Sequence, residues 1–413
     1  MRHLTLREYE SAPATALTTA EVESLADVAP SVEIAPAIGH PGRYDLRPGS
    51  HIGVVNLDSL IVEIRPKLPI ERVLFLLSYS LDPRRWMQTG FNFKEQDSLV
   101  EAIIPGFVTQ IRHAFRRGIL QGYRTQEDAL LTVRGRIRFD DQIRDRFGIF
   151  PPVEVRYDEF TEDTTENRLI KAAIFRLGRL RIRSDEARRS LRSFDALLEN
   201  VQQVHFDRRR LPDVHYTRLN EHYRPAVELA KLILRATGFE LGHGKVAASS
   251  FLVDMNQVFE DFVVVALREA LGVSERTFPQ GYSQKHLPLD ESARVRLEPD
   301  LSWWDGSVCT FVGDVKYKRV NAAGVKHADI YQLLAYTIAA NLPAGLLIYA
   351  AGEDEPAVHH VRNLVKTLEV RTLDLKGQPE EILATVRAVA DRIVEMRRGA
   401  MRNRGSTAVL SNS

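Results

Sequence analysis

The stretch Leu297–Arg319, LEPDLSWWDGSVCTFVGDVKYKR, gathers residue types that could hydrolyse a phosphodiester. Asp300 follows Pro299, a turn signal stands at Asp305-Gly306, and Asp314-Val315-Lys316 comes next. Read as two strands around that turn, the stretch sets two carboxylates and one ammonium at a common point. Residues 314 and 316 of a strand project to the same face. Magnesium takes hard oxygen ligands and keeps several waters, so Asp300 and Asp314 are a sufficient protein ligand set, with the main-chain carbonyl of Val315 as a further oxygen. Phosphodiester hydrolysis requires an activated water and compensation of charge on the phosphorane oxygens, and Mg²⁺ supplies both. Lys316 would orient the water and offset the developing negative charge. A lone Asp-x-Lys occurs often by chance, so the reading depends on what surrounds it.

The elements that must position this set read as α/β from about residue 250 to 398. The helix DMNQVFEDFVVVALREALG precedes the two strands. A helix at about 325–340 follows, then the buried strand AGLLIYAA, the strand LEVRTLDL and the helix EEILATVRAVADRIVEMRR. Residues 1 to about 95 read as β-rich, with HIGVVNLDSLIVEIRPKLP as two strands around a turn at residues 56–59, then the short apolar helix ERVLFLLSYSL ending at Asp82-Pro83. Residues 10–45 carry little signal. Residues 97 to about 240 read as mainly helical. Pro105-Gly106 is expected to kink or divide the first helix, LLTVRGRIRF to form a strand or hairpin, and Gly238 to close the helix HYRPAVELAKLILRATG. The expected fold class is thus multidomain α+β. Residues 1–96 form a β-rich N-terminal domain and 97–245 a mainly helical region. Residues 246–398 form an α/β core with a mixed sheet, and 399–413 a small, polar, disordered tail.

Composition narrows the field. The 413 residues are 44% hydrophobic, enough for substantial cores, and carry a net charge of only +1. Arginines crowd the middle of the chain (Arg116-Arg117, Arg134, Arg136, Arg138, Arg144, Arg146, Arg176, Arg179 and others), where solvated helix faces with neighbouring acids account for most of them. Cys309 is the single cysteine, which excludes an internal disulfide and a multi-cysteine zinc site. No apolar run reaches the ~18 residues of a membrane span, so a soluble cytoplasmic protein is expected. Gly242-His243-Gly244-Lys245 lacks the spacing of a phosphate-binding loop, and no other nucleotide-binding motif is present, so nucleotide would be bound by a partner. His359-His360 has no third ligand in an obvious pattern. Trp303 and Trp304 read as packing residues, and Lys318 and Arg319 as charges that could touch phosphate or simply solvent.

The order helix, strand, strand, helix, strand, with Pro299-Asp300 and Asp314-Val315-Lys316, resembles the core of the PD-(D/E)xK nuclease superfamily. Glu260, in DMNQVFEDFV, stands where many such nucleases place a carboxylate near their metals. Gln332 and Tyr336 match the Q-x-x-x-Y pair that often accompanies the core, and their spacing puts both on one helix face. Taken singly, Glu260 could be a solvated acid, Gln332 a surface amide and Tyr336 a core residue with a polar tip. Across nearly its full length the chain resembles the McrC family, nuclease subunits of McrBC-type modification-dependent restriction systems. The likeness rests on IGVVNLDSLIVEIRPKLP, VRGRIRF, YDEFTEDTTENRLIKAAI, DMNQVFEDFV, the Asp300/Asp314/Lys316 set and DIYQLLAY.

That resemblance implies a type IV restriction endonuclease subunit in antiphage defence, with Asp300, Asp314, Lys316, Glu260 and Gln332 as site residues and Mg²⁺ as cofactor. It implies a McrB-like AAA+ GTPase ring as partner, on which residues 1–96 would dock, and double-stranded, methylcytosine-containing DNA as substrate. A stimulating residue could come from the segment Asp158–Arg168, for which a helix start capped by Asp163 or Thr164 is the simpler account. Two other functions fit the residues: a PD-(D/E)xK nuclease working alone or with another partner in repair or defence, and a non-enzymatic adaptor of an NTPase ring. An adaptor has no need of the carboxylates and Lys316.

Overall fold

The computed structural model describes residues 2–81, 83, 99–180, 182–207, 210–241, 247–280, 286–317, 327–350 and 357–410. Two five-stranded sheets organise it. In the first, Arg2–Arg7 runs parallel to Leu60–Arg65, which forms a hairpin with His51–Asn56 around the expected turn. Beyond His51–Asn56 lie Ala247–Asp254 and then Thr237–Leu241. The N-terminal sheet is therefore completed by strands nearly two hundred positions on, across the boundary that composition suggests at 245. Residues 10–45, nearly silent as sequence, hold a helix Thr19–Val28 and a small antiparallel sheet ordered Ala12–Ala16, Arg43–Pro48, Val32–Pro36. The helix starts on a capping box: Thr18 Oγ1 accepts from Glu21 N, and Glu21 Oε2 accepts from Thr18 N at 2.9 Å.

The middle region is helical but not wholly so. Ile70–Leu81, Leu99–Ala114, Thr165–Gly178, Asp185–Leu197 and Arg224–Ala236 are helices. Leu99–Ala114 continues through Pro105 as one helix, because its buried face (Ile103, Ile104, Phe107, Ile111) is locked into the core. Gly238 does not close the last of these helices; Thr237 Oγ1 donates to Ile233 O at 2.9 Å and the chain passes directly into the strand Thr237–Leu241. LLTVRGRIRF supplies only the end of Gly122–Leu130 and the two-residue Arg136–Ile137, both pairing with Val153–Thr161. Several arginines here face acids, as in Arg146 with Glu154 at 2.7 Å and Arg138 with Glu127 at 3.1 Å.

In the second large sheet the order is Leu301–Asp305, Val308–Lys316, Ala344–Ala350, Thr367–Leu373, Ala357–His360. The outer pairs are antiparallel and the inner ones parallel, a mixed sheet. Along Val308–Lys316, Phe311 and Val315 enter the main core with the helices Met255–Leu271 and Pro379–Leu410. Val312, on the other face, packs in a second core with Leu333 and Tyr336 of the helix His327–Ala339. The main core also takes in the five middle-region helices named above, so it too spans position 245. Pro379–Leu410 continues past Gly399, where a disordered tail is expected from composition. Gly242–Lys245, Lys318 and Arg319 lie outside the described residues. Among those described, no helix is long and apolar enough to cross a membrane.

Candidate active site

The turn between the two edge strands is made by Gly306 at φ +62°, a left-handed conformation in which a side chain would be strained. Pairing then sets Leu301 beside Gly313, which brings Asp300 alongside the end of the partner strand. Gly313 is held so close to the next strand that a Cβ there would lie 2.8 Å from Leu346 O. Asp300 Oδ2 accepts from Val315 N at 2.9 Å, which fixes the carboxylate against the Asp-Val-Lys backbone. Lys316 Nζ lies 2.5 Å from Asp314 Oδ2 and 3.7 Å from Asp300 Oδ2. The two carboxylates and the ammonium thus converge, as their spacing requires.

Asp314 is completely buried, and neither of its oxygens has an aligned hydrogen-bond donor. Burial first, and then the negative charge of Asp300, push its pKa up to about 8, against the pull of Lys316. Burial alone would lower the Lys316 pKa, but Asp314 and Asp300 outweigh it and hold the group above the ordinary lysine value. Glu260 comes from the helix Met255–Leu271, whose N-cap is Asp254, Oδ1 accepting from Asn256 N at 2.9 Å. Its carboxyl is also pushed up to about 8, by burial and then by the charges of Asp300 and Asp261, with Lys316 opposing. Glu260 therefore shares the electrostatic field of the cluster.

Gln332 is exposed, and its Nε2 donates to Tyr336 Oη at 2.8 Å; its link to the cluster runs through Tyr336 rather than straight to a carboxylate. Tyr336 is buried and donates in turn to Glu298 O at 3.3 Å, just ahead of Pro299-Asp300. Burial, then Asp314 and Asp300, push its phenol up. Sequence reasoning passed over three groups. Asp261, next to Glu260, accepts from Gln257 at 2.8 Å and from Gln280, which bridges to Leu301 beside Asp300. Asp329 and Tyr349 form a buried pair, Tyr349 Oη donating to Asp329 Oδ2 at 2.6 Å. The signal for Asp329 was present: it stands three residues before Gln332 and seven before Tyr336, on the same helix face.

Other candidates separate from the site. His359 and His360 are exposed on an edge strand, and among the described residues no three His, Cys, Asp or Glu side chains form a ready-made metal cage. Trp303 and Trp304 are buried, Trp303 lying under the Arg397 guanidinium at 4.4 Å. Thr164 caps the helix Thr165–Gly178, while Asp163 binds Arg168 Nε at 2.7 Å and Gln202 N at 2.9 Å. That segment therefore accounts for itself as a helix start.

Fold and cluster together define a multidomain α+β protein in which a mixed sheet displays two aspartates and a lysine at one point. The sequence model of the family described as McrBC 5-methylcytosine restriction system component matches residues 46–350, so the chain belongs to that family. Its fold is similar to a chain in the refined half-complex from a tetradecameric assembly of Thermococcus gammatolerans McrB AAA+ hexamers with bound McrC. That similarity has a TM-score of 0.56 and 19% identity, covering 95% of this chain and 100% of the other. A chain of the Thermococcus gammatolerans McrBC complex also matches, with a TM-score of 0.38 and 20% identity over 65% of this chain and 88% of that one. No curated protein matches the chain.

Proposed function

We propose that this protein is the McrC-like nuclease subunit of a modification-dependent restriction system. In this reading it docks on a McrB-like AAA+ GTPase ring, raises the ring's GTP hydrolysis and cleaves methylcytosine-containing double-stranded DNA in antiphage defence. The observation that carries the reading is the meeting of Asp300, Asp314 and Lys316 at the junction of two strands. Family membership and the likeness to chains of McrB assemblies with bound McrC support the choice of partner.

The residues fit a divalent cation. A fully buried carboxylate whose oxygens lack aligned donors, beside a second carboxylate that shares Lys316 with it, offers the hard oxygens a divalent cation takes. Asp300 and Asp314 would hold Mg²⁺, which when bound supplies the positive charge that acidifies a water and offsets charge on the phosphorane. Lys316 Nζ orients the attacking water and donates to a phosphate oxygen. The Val315 N–H fixes Asp300, Tyr336 braces the backbone ahead of it, and Glu260 adds a third carboxyl to the local field. In this reading the cluster is the active site of a PD-(D/E)xK core.

The test reconstitutes the full chain with the partner ring, GTP, Mg²⁺ and methylated duplex. Asp300→Ala, Asp314→Ala and Lys316→Ala should each abolish cleavage while still accelerating GTP turnover, and the wild-type chain alone should cut poorly. Cleavage at the wild-type rate by Asp314→Ala would remove this cluster from the chemistry.

A further inference from the structure

Lys316 at present serves as the counter-ion of both carboxylates, 2.5 Å from Asp314 Oδ2 and 3.7 Å from Asp300 Oδ2. A divalent cation taking those oxygens would face an ammonium already in place, and two like charges at such spacing repel strongly in a buried site. The ammonium must then move toward another anion, or the two cations compete and one is lost.

The sheet supplies that anion. Tyr349 is the residue registered beside Lys316 in the parallel pairing of Val308–Lys316 with Ala344–Ala350. Its hydroxyl donates to Asp329 Oδ2 at 2.6 Å, and both residues are buried, Tyr349 at 2% and Asp329 at 6% exposure. A first-turn aspartate ordinarily stabilises its helix from a solvated position. Asp329 is instead desolvated and tethered by a tyrosine from the neighbouring strand, which helix stabilisation does not require.

We propose that Asp329 is the alternative ion-pair partner of Lys316, a positioning residue that receives the ammonium when a divalent cation occupies Asp300 and Asp314. This rests on the reading of those two aspartates as the cation ligands. Tyr349 holds the Asp329 carboxylate in place for the exchange. Lys316 thereby stays beside the reacting phosphate instead of competing for the ligands.

The experiment measures Mn²⁺ binding to the full-length chain, without DNA or nucleotide, by water-proton relaxation. Lys316→Met should tighten binding, because it removes the competing charge. Asp329→Asn keeps an oxygen for Tyr349 but loses the anion, and should weaken binding on the order of 10-fold, as loss of outer supports of metal ligands does. In the Lys316→Met background the same substitution should change affinity by no more than about twofold, since no ammonium remains to be relocated. Tyr349→Phe, which leaves the charge but not its tether, should weaken binding in the same direction and serves if Asp329→Asn does not fold. An equal effect of Asp329→Asn in both backgrounds, or none in the wild type, overturns the proposal. Asp314→Asn separates the two levels: if it binds Mn²⁺ like the wild type, the cation-site reading itself fails. If it loses binding while the cycle shows no coupling, only the role of Asp329 fails.

Discussion

Glu260→Gln should make the protein more stable at pH 8 and leave it unchanged near pH 4. Its carboxyl moves from the ordinary 4.5 to about 8 on folding. Between those values the folded chain keeps a proton that the unfolded chain releases, so stability falls as pH rises through this window. The full shift of about 3.5 units would correspond to a ceiling of about 5 kcal/mol at 1.36 kcal/mol per unit. Glu260 keeps partial access to solvent, and screening there reduces the realised gain to roughly 1–3 kcal/mol. For a chain of this size that is roughly a 1–4 °C rise in Tm. The assay is thermal unfolding of wild type and variant in chelator, from pH 4 to pH 8.5. A difference that grows with pH across the window is expected. An unchanged or lower Tm of the variant at pH 8, or a gap that ignores pH, would refute the claim that burial and the neighbouring carboxylates raise the Glu260 pKa.

Two further tests address the frame that carries the site. Tyr223 is fully buried and its hydroxyl accepts from Leu120 N at 2.7 Å, so Tyr223→Phe strands that N–H and should cost about 1–3 kcal/mol in denaturant unfolding. Glu21 gathers Thr18 N, Ser59 Oγ and Arg2; burial opposes its ionisation, but these partners draw its pKa down from 4.5 to about 2. Its contribution is complete above the unfolded value and is lost as pH falls through this window. Glu21→Gln should therefore be destabilised most at pH 7 and progressively less as pH falls from 4.5 toward 2, and its acid-unfolding midpoint should move up.

The strands and helices of the nuclease-like region were legible because each carries its own period, and because Asp305-Gly306 is unambiguous turn chemistry. Glu260, Asp300, Asp314 and Lys316 were legible as residue types in order. What stayed hidden depended on long-range pairing. Nothing local in Ala247–Asp254 says that it pairs with His51–Asn56, and Gly238 reads as a helix stop until its strand partner is known. Pro105 reads as a break because burial of Ile104 and Phe107 is invisible in the sequence. Gln332 and Tyr336 were legible as a pair on one helix face, but not the bond from the Gln332 amide to the Tyr336 hydroxyl. Asp329 shares a helix face with Gln332 and Tyr336, but its burial and its bond to Tyr349 on a distant strand do not show in the sequence.

The strand Ala247–Asp254 takes its place in the N-terminal sheet and leads at once into the helix that bears Glu260, with Met255 N donating to Ser50 O at 3.0 Å. A second tie lies at the other arm of the cluster, where Tyr317, next to Lys316, donates to the buried Glu8 at 2.9 Å. For recombination between relatives, the consequence is that no crossover between 65 and 247 yields a clean chimera. Such a hybrid would join a foreign sheet edge to the strand that aims Glu260, and a foreign carboxylate to the residue that ends the lysine strand. The C-terminal α/β region and the N-terminal sheet should therefore be inherited, and engineered, as one unit.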